Sequence, residues 1–262
     1  METLNLIHGD CLEKMRDIPS GSVDMICTDL PYGMTACKWD TVIPFEPLWD
    51  AYKRIVKPNG AIVLFGSQPF TSALVMSNPK MFRYEWIWNK VVPTGFLNAK
   101  IIPMKIHENI LVFYASNPTY NPQKYYKGKG MHRNGTNYTK QEILVREGIY
   151  GSLKNGSNIR SEYAFPNSII IASKGNGHTT KKNVHPTQKP VALLEYLIQT
   201  YTNAGETVLD SCMGSGTTGV ACINTSRNFI GIERDEHYFN LSSERIRHTS
   251  AGLFALPIEA LI

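Results

Sequence analysis

The sequence predicts an α/β fold with a mostly parallel sheet, and three observations carry this prediction. Short apolar runs of strand length alternate with longer segments of helical period through most of the 262 residues. Two of these runs end in loops that combine acidic residues with glycine or proline, at the position where open α/β sheets place ligands. Residues 116–165 lack the alternation, so we expect them to be inserted into the sheet-forming part of the chain.

Seven segments have the length and apolar character of strands. They are Leu4–His8, Val23–Asp29, Ala61–Gly66, 84–89, 109–114, Thr207–Asp210 and Phe229–Glu233. Helical periodicity covers Glu46–Lys57, Val191–Asn203, the residues after Gly216, and Asp235–His248. The turn Pro58-Asn59-Gly60 is expected to stop the first of these helices.

Bulk composition argues against several classes of protein. No apolar run approaches the roughly 18 residues that a membrane span needs, and the start, METLNLIHGD, has neither the basic nor the apolar region of a signal peptide. We therefore expect a cytoplasmic protein with no membrane partner. The five cysteines are odd in number and none has C-x-x-C spacing, so we expect reduced thiols and no metal site.

Positive charge is concentrated in one part of the chain. Residues 116–189 hold twelve Lys/Arg and three Asp/Glu, a balance of +9, whereas the rest of the chain has a balance of −4. This asymmetry indicates a polyanionic partner, although a solvated loop would have the same charge. A compact domain seldom carries so long an irregular stretch as 116–165 without a function, and its tyrosines argue against a disordered linker. We interpret it as a recognition region.

A glycine-rich loop follows the strand that ends at Asp210. Gly214, Gly216 and Gly219 match the pattern G-x-G-x-x-G, and Glu233 lies about 20 residues further on. This combination meets the dinucleotide-binding fingerprint, so a nicotinamide dehydrogenase is one hypothesis. A glycine-rich turn without a ligand is another.

Two features of the same loop favour S-adenosylmethionine. The fingerprint normally opens its domain, but here only a short part of the chain follows it, so the remaining strands must come from earlier residues. Asp210 directly precedes the loop, where a carboxylate suits an ammonium group better than a pyrophosphate. S-adenosylmethionine carries such an ammonium group and no phosphate. Backbone N–H groups at a helix start could bind its carboxylate, and Glu233 its ribose hydroxyls.

The turn Asp29-Leu30-Pro31-Tyr32 follows a buried strand and fits the methylation of a base amine. The lone pair of an exocyclic amine is delocalised into the ring, and acceptors for its two N–H groups favour a tetrahedral nitrogen that can attack a methyl group. The Asp29 carboxylate and the Leu30 carbonyl could be these acceptors, and Tyr32 could stack on a flipped base. C5-cytosine methylation would need a cysteine, typically after proline, and the chain has no Pro-Cys. A simple turn with a capping Asp is the alternative.

With both motifs in view, the chain resembles the DNA amino-methyltransferases, in their permuted β-type order. In that family the target-amine motif, Asp-Pro-Pro-Tyr or a close variant, precedes the cofactor glycine loop, as it does here. Three further segments match in the expected order: His8-Gly9-Asp10-Cys11, His185-Pro-Thr-Gln-Lys-Pro190 and Gly231-Ile-Glu233-Arg-Asp235. The resemblance covers nearly the whole chain outside about 116–165. Leu30 departs from the family's first proline, and Cys212 stands where an aromatic is frequent, but neither departure removes a reacting group.

The resemblance implies a Rossmann-like methyltransferase fold with a mostly parallel seven-stranded sheet. It divides the chain into a catalytic half at 1–115, an inserted DNA target-recognition region at 116–165 and a cofactor-binding half at 166–262. The implied catalytic residues are Asp29, Leu30, Pro31 and Tyr32. The implied S-adenosylmethionine contacts are Asp10, Cys11, Lys189, Asp210, Cys212, Gly214, Ser215, Gly216, Thr217, Glu233 and Arg234. Within the basic segment, DNA contacts are expected at Lys124, Lys127, Lys129 and Arg133.

The implied activity is site-specific methylation of N6 of adenine in double-stranded DNA, with the target base flipped out. Asp at the start of the tetrapeptide favours adenine in this family. N4-cytosine methylation, RNA or small-molecule methylation and a catalytically inactive DNA-binding module stay open. It also stays open whether a cognate restriction endonuclease is a partner, and whether the protein is a monomer or a homodimer.

Overall fold

The computed structural model describes residues 3–34, 40–126, 162–173 and 188–252. Within them the strands are β1 (Leu4–His8), β2 (Val23–Thr28), β3 (Val56–Gly66), β4 (Phe82–Thr94), β5 (Lys105–Phe113), β6 (Tyr125–Tyr126), β7 (Tyr163–Ala164), β8 (Ile169–Ile171), β9 (Thr207–Asp210) and β10 (Asn228–Glu233). The helices are α1 (Cys11–Lys14), α2 (Phe45–Ile55), α3 (Phe70–Ser77), α4 (Val191–Tyr201), α5 (Thr217–Asn224) and α6 (Glu236–Ser250). None of these described helices is long and apolar enough to cross a membrane.

The chain divides into two compact units. The larger comprises Met1–Asn121 and Asn167–Ile262, and the smaller comprises Pro122–Pro166. In the described part of the smaller unit, β6 and β7 pair as a short antiparallel ribbon. The bounds of this unit lie close to the expected insertion, whose role in target recognition stays a prediction.

The larger unit contains an eight-stranded sheet in the order β1-β10-β9-β2-β3-β5-β4-β8. Neighbours from β1 to β3 are parallel, and β5 is antiparallel to both β3 and β4. The α/β class is confirmed, but the sheet has eight strands where seven were expected. The additional strand β8 pairs with Ile87–Asn89 of β4 and exposes two of its three isoleucines. Three residues at an edge are too few to produce a periodic signal.

The apolar core lies on both faces of the sheet, as expected for parallel strands covered by helices. Along β2, Met25 and Cys27 belong to the cluster that contains Leu193 and Leu197 of α4, whereas Ile26 belongs to the opposite cluster. That second cluster receives the buried side chains of α2, which recur at helical spacing: Leu48, Trp49, Tyr52 and Ile55. Helices therefore pack on both faces of the central strands.

The prediction for Pro58-Asn59-Gly60 is wrong in part. Helix α2 does end before this turn, but β3 already begins at Val56, which pairs with Val23. The ladder is then interrupted and resumes at Ala61 opposite Met25. The turn is thus an irregularity inside the strand, which sequence periodicity cannot distinguish from a boundary.

The direction of the parallel strands determines where the functional loops meet. Because β1, β10, β9, β2 and β3 are parallel, the loops after His8, Thr28, Asp210 and Glu233 emerge at the same edge of the sheet. This carboxyl edge carries the candidate site.

Candidate functional site

The loops at the carboxyl edge surround a pocket of about 250 Å³. Nearly all the predicted catalytic and cofactor residues line it: Asp10, Cys11, Asp29, Leu30, Pro31, Tyr32, Lys189, Asp210, Cys212, Gly214, Ser215, Thr217, Glu233 and Arg234. Gly216 is not among the lining residues. Two motifs far apart in the sequence are therefore brought into one cavity.

The Asp29 turn is held by side chains on both of its carboxylate oxygens. Tyr32 Oη donates a hydrogen bond to Asp29 Oδ1 at 2.6 Å, and Lys189 Nζ donates to Oδ2. Burial and the neighbouring Asp29 carboxylate raise the pKa of Tyr32 far above its usual value, so Tyr32 remains a donor. Leu30, which replaces the expected proline, is buried in the core and anchors the turn by packing.

Further contacts position the Tyr32 ring and the backbone after it. The carboxylate of Asp40 accepts hydrogen bonds from the backbone N–H groups of Gly33 at 2.8 Å and Met34 at 2.9 Å. The ring of Tyr32 stacks on Phe70, with centroids 4.9 Å apart. The sequence is compatible with two roles for Trp39-Asp40, closure over the target base and a core or capping role, and the contacts of Asp40 fit the capping role. Residues 35–39, which include Trp39, lie outside the described part.

Lys189, which was expected to contact the cofactor, forms ion pairs with carboxylates of the protein. Its ammonium group is paired with Asp29 and lies 3.4 Å from Glu108 Oε2, and Lys90 Nζ lies 3.5 Å from Glu108 Oε1. Both lysines are buried, and Lys189 Nζ also lies 5.0 Å from the centroid of the Phe65 ring. Burial by itself would lower the pKa of Lys189, but the carboxylates of Asp29 and Glu108 outweigh it and raise that pKa, so the ammonium stays charged.

Asp210 links the two motifs directly. Its carboxylate accepts hydrogen bonds from Thr28 Oγ1 at 2.7 Å, Thr218 Oγ1 at 2.6 Å and the Cys212 backbone N–H at 3.1 Å. The residue is only 4% exposed. Burial raises the pKa of Asp210 to about 6, and the hydrogen bonds offset this only in part.

The carboxylates of Glu233 and Asp10 are oriented by backbone donors. Glu233 accepts from the N–H groups of Gly214 and Asp235, both at 2.8 Å. Asp10 Oδ1 accepts from the N–H of Leu12 at 2.9 Å and thereby caps α1. The fold itself therefore sets the directions of these two acidic side chains.

The glycines of the loop differ in their roles. Gly216 has φ of +72°, and a Cβ there would lie 2.9 Å from Ser242 Cβ of α6. A Cβ at Gly219 would lie 2.6 Å from Ile246 Cδ1 of the same helix. These two glycines permit close packing of α6, and the loop is further held by Arg245 Nη1, which donates to the Ser215 carbonyl at 2.8 Å. Gly214 is the glycine of the three that faces the pocket.

Cys11 and Cys212 meet at the wall of the pocket. A hydrogen bond between their thiols lowers the pKa of Cys11 and raises that of Cys212. Both cysteines are free thiols. In the described part of the chain, no group of three or more His, Cys, Asp or Glu side chains is arranged to hold a metal ion.

The predicted DNA contacts belong to the smaller unit. Lys124 is exposed, and its Nζ lies 4.6 Å from the centroid of the Phe165 ring within that unit. Lys127, Lys129 and Arg133 fall outside the described residues. Their contact with DNA stays a prediction.

The sequence and the fold of this chain are similar to those of known DNA methyltransferases. The N6/N4 DNA methylase family model matches residues 23–244. The type II methyltransferase M.HpaI of Haemophilus parainfluenzae is 26% identical over 256 residues, which is 92% of this chain and 73% of that protein. The crystal structure of M1.HpyAVI in complex with SAM is 26% identical, with a TM-score of 0.62 over 93% of this chain and 100% of the other.

A third protein shows the same fold at lower identity. The cytosine-N4-specific PvuII DNA methyltransferase is 15% identical, with a TM-score of 0.64 over 96% of this chain and 92% of the other. The shared architecture therefore extends to an enzyme that acts on cytosine.

Proposed function

This chain belongs to the N6/N4 DNA methylase family, and from that premise we propose that it transfers a methyl group from S-adenosylmethionine to N6 of adenine in double-stranded DNA. The observation that carries the proposal is that the Asp29 turn and the Asp210–Glu233 region line one pocket. Adenine is favoured over cytosine by the aspartate that begins the tetrapeptide. N4 of cytosine is the second candidate, because the PvuII enzyme shares the fold.

The residues at one end of the pocket fit the cofactor by their chemistry. Asp210 offers a carboxylate to an ammonium group, Glu233 to a ribose diol, and Asp10 to an adenine amine. Gln188 Oε1 is buried with no hydrogen-bond partner within the described residues, although the residue lines the pocket. A buried acceptor of this kind calls for a donor from a bound molecule. When bound, S-adenosylmethionine supplies a methyl group activated by a positively charged sulfonium.

The other end of the pocket fits the target amine. Asp29 can accept one N–H of the amine on a remaining lone pair while Tyr32 and Lys189 hold its two oxygens. The carboxylate then lies where positive charge develops on the attacking nitrogen, and such preorganised charge lowers the barrier. The Leu30 carbonyl would accept the second N–H. The attacking nitrogen must afterwards lose a proton, for which Asp29 is the adjacent acceptor.

The base must leave the DNA helix to reach Asp29, because the amine is otherwise paired within the duplex. One face of the Tyr32 ring stacks on Phe70, and Tyr32 also lines the pocket. The other face of the ring is proposed to stack against the extruded base. Residues 116–165, with Lys124, Lys127, Lys129 and Arg133, are proposed to contact DNA and select the target site. Phosphate contacts by these cations would make DNA binding salt-dependent.

The decisive experiment identifies the methylated base. The protein is incubated with duplex DNA and isotopically labelled S-adenosylmethionine, and the digested nucleosides are analysed by mass spectrometry. We expect labelled N6-methyladenine. Labelled N4-methylcytosine would retain the mechanism and overturn the adenine assignment, and the absence of any labelled base in DNA would overturn the proposed function.

A further inference from the structure

The hairpin of β4 and β5 exposes a concentration of apolar side chains. We call residues 95–104 the hairpin tip. Within it, Phe96 is 81%, Leu97 96% and Ile101 82% exposed. Single exposed apolar residues are normal, but large ones grouped on a short loop mark a binding surface.

Strand register places the hairpin tip beyond the carboxyl edge of the sheet. Asn109 of β5 pairs with both Gly66, the last residue of β3, and Ile87 of β4. The parts of β4 after Ile87 and of β5 before Asn109 therefore continue past the ends of the parallel strands. The hairpin tip joins these two extensions on the side of the sheet where the pocket opens.

The base of the hairpin is tied to the reacting end of the pocket. Lys90 of β4 and Glu108 of β5 form the ion pair that continues through Lys189 to Asp29. Lys105, next to the hairpin tip, donates a hydrogen bond to Ser67 directly after β3. The strands that bear the hairpin tip are therefore connected by ion pairs to Asp29, where methyl transfer is proposed to occur.

The charge of the hairpin fits DNA. Between Trp86 and His107 the sequence has no acidic residue. Lys100 is exposed and Lys105 is partly exposed, whereas Lys90 is buried and paired with Glu108. In a contact between two copies of the chain, Lys100 and Lys105 would meet the same positive charges, whereas DNA supplies phosphates that attract them. The combination of apolar tips and flanking cations is the one that proteins use to enter a base stack.

We infer that the hairpin tip enters the DNA duplex beside the target base and fills the gap left by its extrusion. Extrusion leaves two base faces without a stacking neighbour, and this cost opposes flipping. Leu97, the most exposed of the large apolar side chains of the tip, and the neighbouring aromatic ring of Phe96 would cover those faces. The inference rests on the base extrusion in the proposed function and adds the element that stabilises it.

The test measures extrusion directly. A duplex with 2-aminopurine at the target base fluoresces more strongly when that base leaves the stack, so the full-length protein is titrated against it. We expect F96A/L97A to lose most of the fluorescence increase and to slow single-turnover methyl transfer by about 5- to 150-fold, the range for loss of base stacking. The control M76A removes another apolar side chain, 71% exposed, outside the hairpin, and is expected to behave like the parent.

Two further measurements separate the outcomes. With the target base opposite an abasic position, extrusion costs less, so the defect of F96A/L97A is expected to shrink. If F96A/L97A gives the same fluorescence increase as the parental protein, the inference about the hairpin tip is wrong and base extrusion still stands. If the parental protein gives no increase, both the inference and base extrusion are wrong. If sedimentation shows a parental dimer that F96A/L97A converts to a monomer, the hairpin tip is an interface between copies and the inference is wrong.

Discussion

The two ends of the pocket hold their carboxylates by different means. At the cofactor end, Glu233 accepts from two backbone N–H groups, and Asp210 is almost fully buried among neighbouring donors. At the target end, the donors to Asp29 are the side chains of Tyr32 and Lys189, and the Asp29 side chain is 24% exposed. Backbone donors are set by the fold, whereas side-chain donors depend on rotamers and on the rest of an ion-pair network. Glu233 is therefore preorganised by the backbone and Asp29 by side chains, while Asp210 is held by two threonine hydroxyls and one backbone N–H.

This difference predicts that substitution at the target end affects the chemical step and spares cofactor affinity. Asp29→Ala removes a charged acceptor aimed at the amine, and loss of one such group typically costs about 10²–10³ in rate. The measurement is single-turnover methyl transfer to duplex DNA, together with calorimetric titration of S-adenosylmethionine. A parental transfer rate in a folded Asp29→Ala variant would contradict the assigned role of Asp29.

Tyr32 provides the matched comparison within the same turn. From sequence alone, Tyr32→Phe is expected to retain most activity, because the stacking ring is preserved. The hydrogen bond from Tyr32 Oη to Asp29 Oδ1 predicts instead that the phenylalanine variant shares part of the Asp29→Ala rate defect. Equal rates for Tyr32→Phe and the parental protein would show that Lys189 alone suffices to hold the carboxylate.

At the cofactor end, Glu233→Ala is expected to weaken cofactor binding more than it slows the chemical step, which is the opposite of the result expected for Asp29→Ala. Loss of hydrogen bonds to a charged group should weaken S-adenosylmethionine binding by about 1.5–3 kcal/mol. The rate at saturating cofactor should change less. Glu233→Gln, which keeps one acceptor for Gly214 or Asp235, is the control that distinguishes ribose binding from support of the glycine loop. Unchanged affinity in a folded Glu233→Ala variant would remove Glu233 from the cofactor site.

Asp210 gives the smallest predicted effect, and it depends on pH. Its pKa of about 6 in the folded protein means that the carboxyl is largely protonated below pH 6. An ammonium ligand selects the ionised form, so affinity for S-adenosylmethionine should rise as pH increases through 6, with about tenfold weaker binding near pH 5 than near pH 7.5.

Asp210→Asn is the control for this titration, because an amide does not ionise. Its cofactor affinity should be weaker at neutral pH and nearly flat between about pH 5 and pH 7.5. A variant with the same pH dependence as the parental protein would assign the titration to another group.

Local sequence signals predicted the strands and the motif positions well, because burial and turn chemistry leave their pattern within a few residues. Strands Leu4–His8 and Thr207–Asp210 have the predicted bounds. The four-residue helix α1 and the edge strand β8 escaped prediction, since each is shorter than the window in which a period can be recognised.

Local patterns along the chain were enough to predict the fold class, the two motifs that line the pocket and the order of these motifs. The groups that hold Asp29 came together only in the folded sheet. Lys189 and Glu108 are about 80 residues apart in the chain, and they meet because β5 runs back along β3 to the edge where β2 ends. A buried lysine is stable there only with carboxylates beside it, and that pairing is a property of the packed sheet that no local pattern encodes.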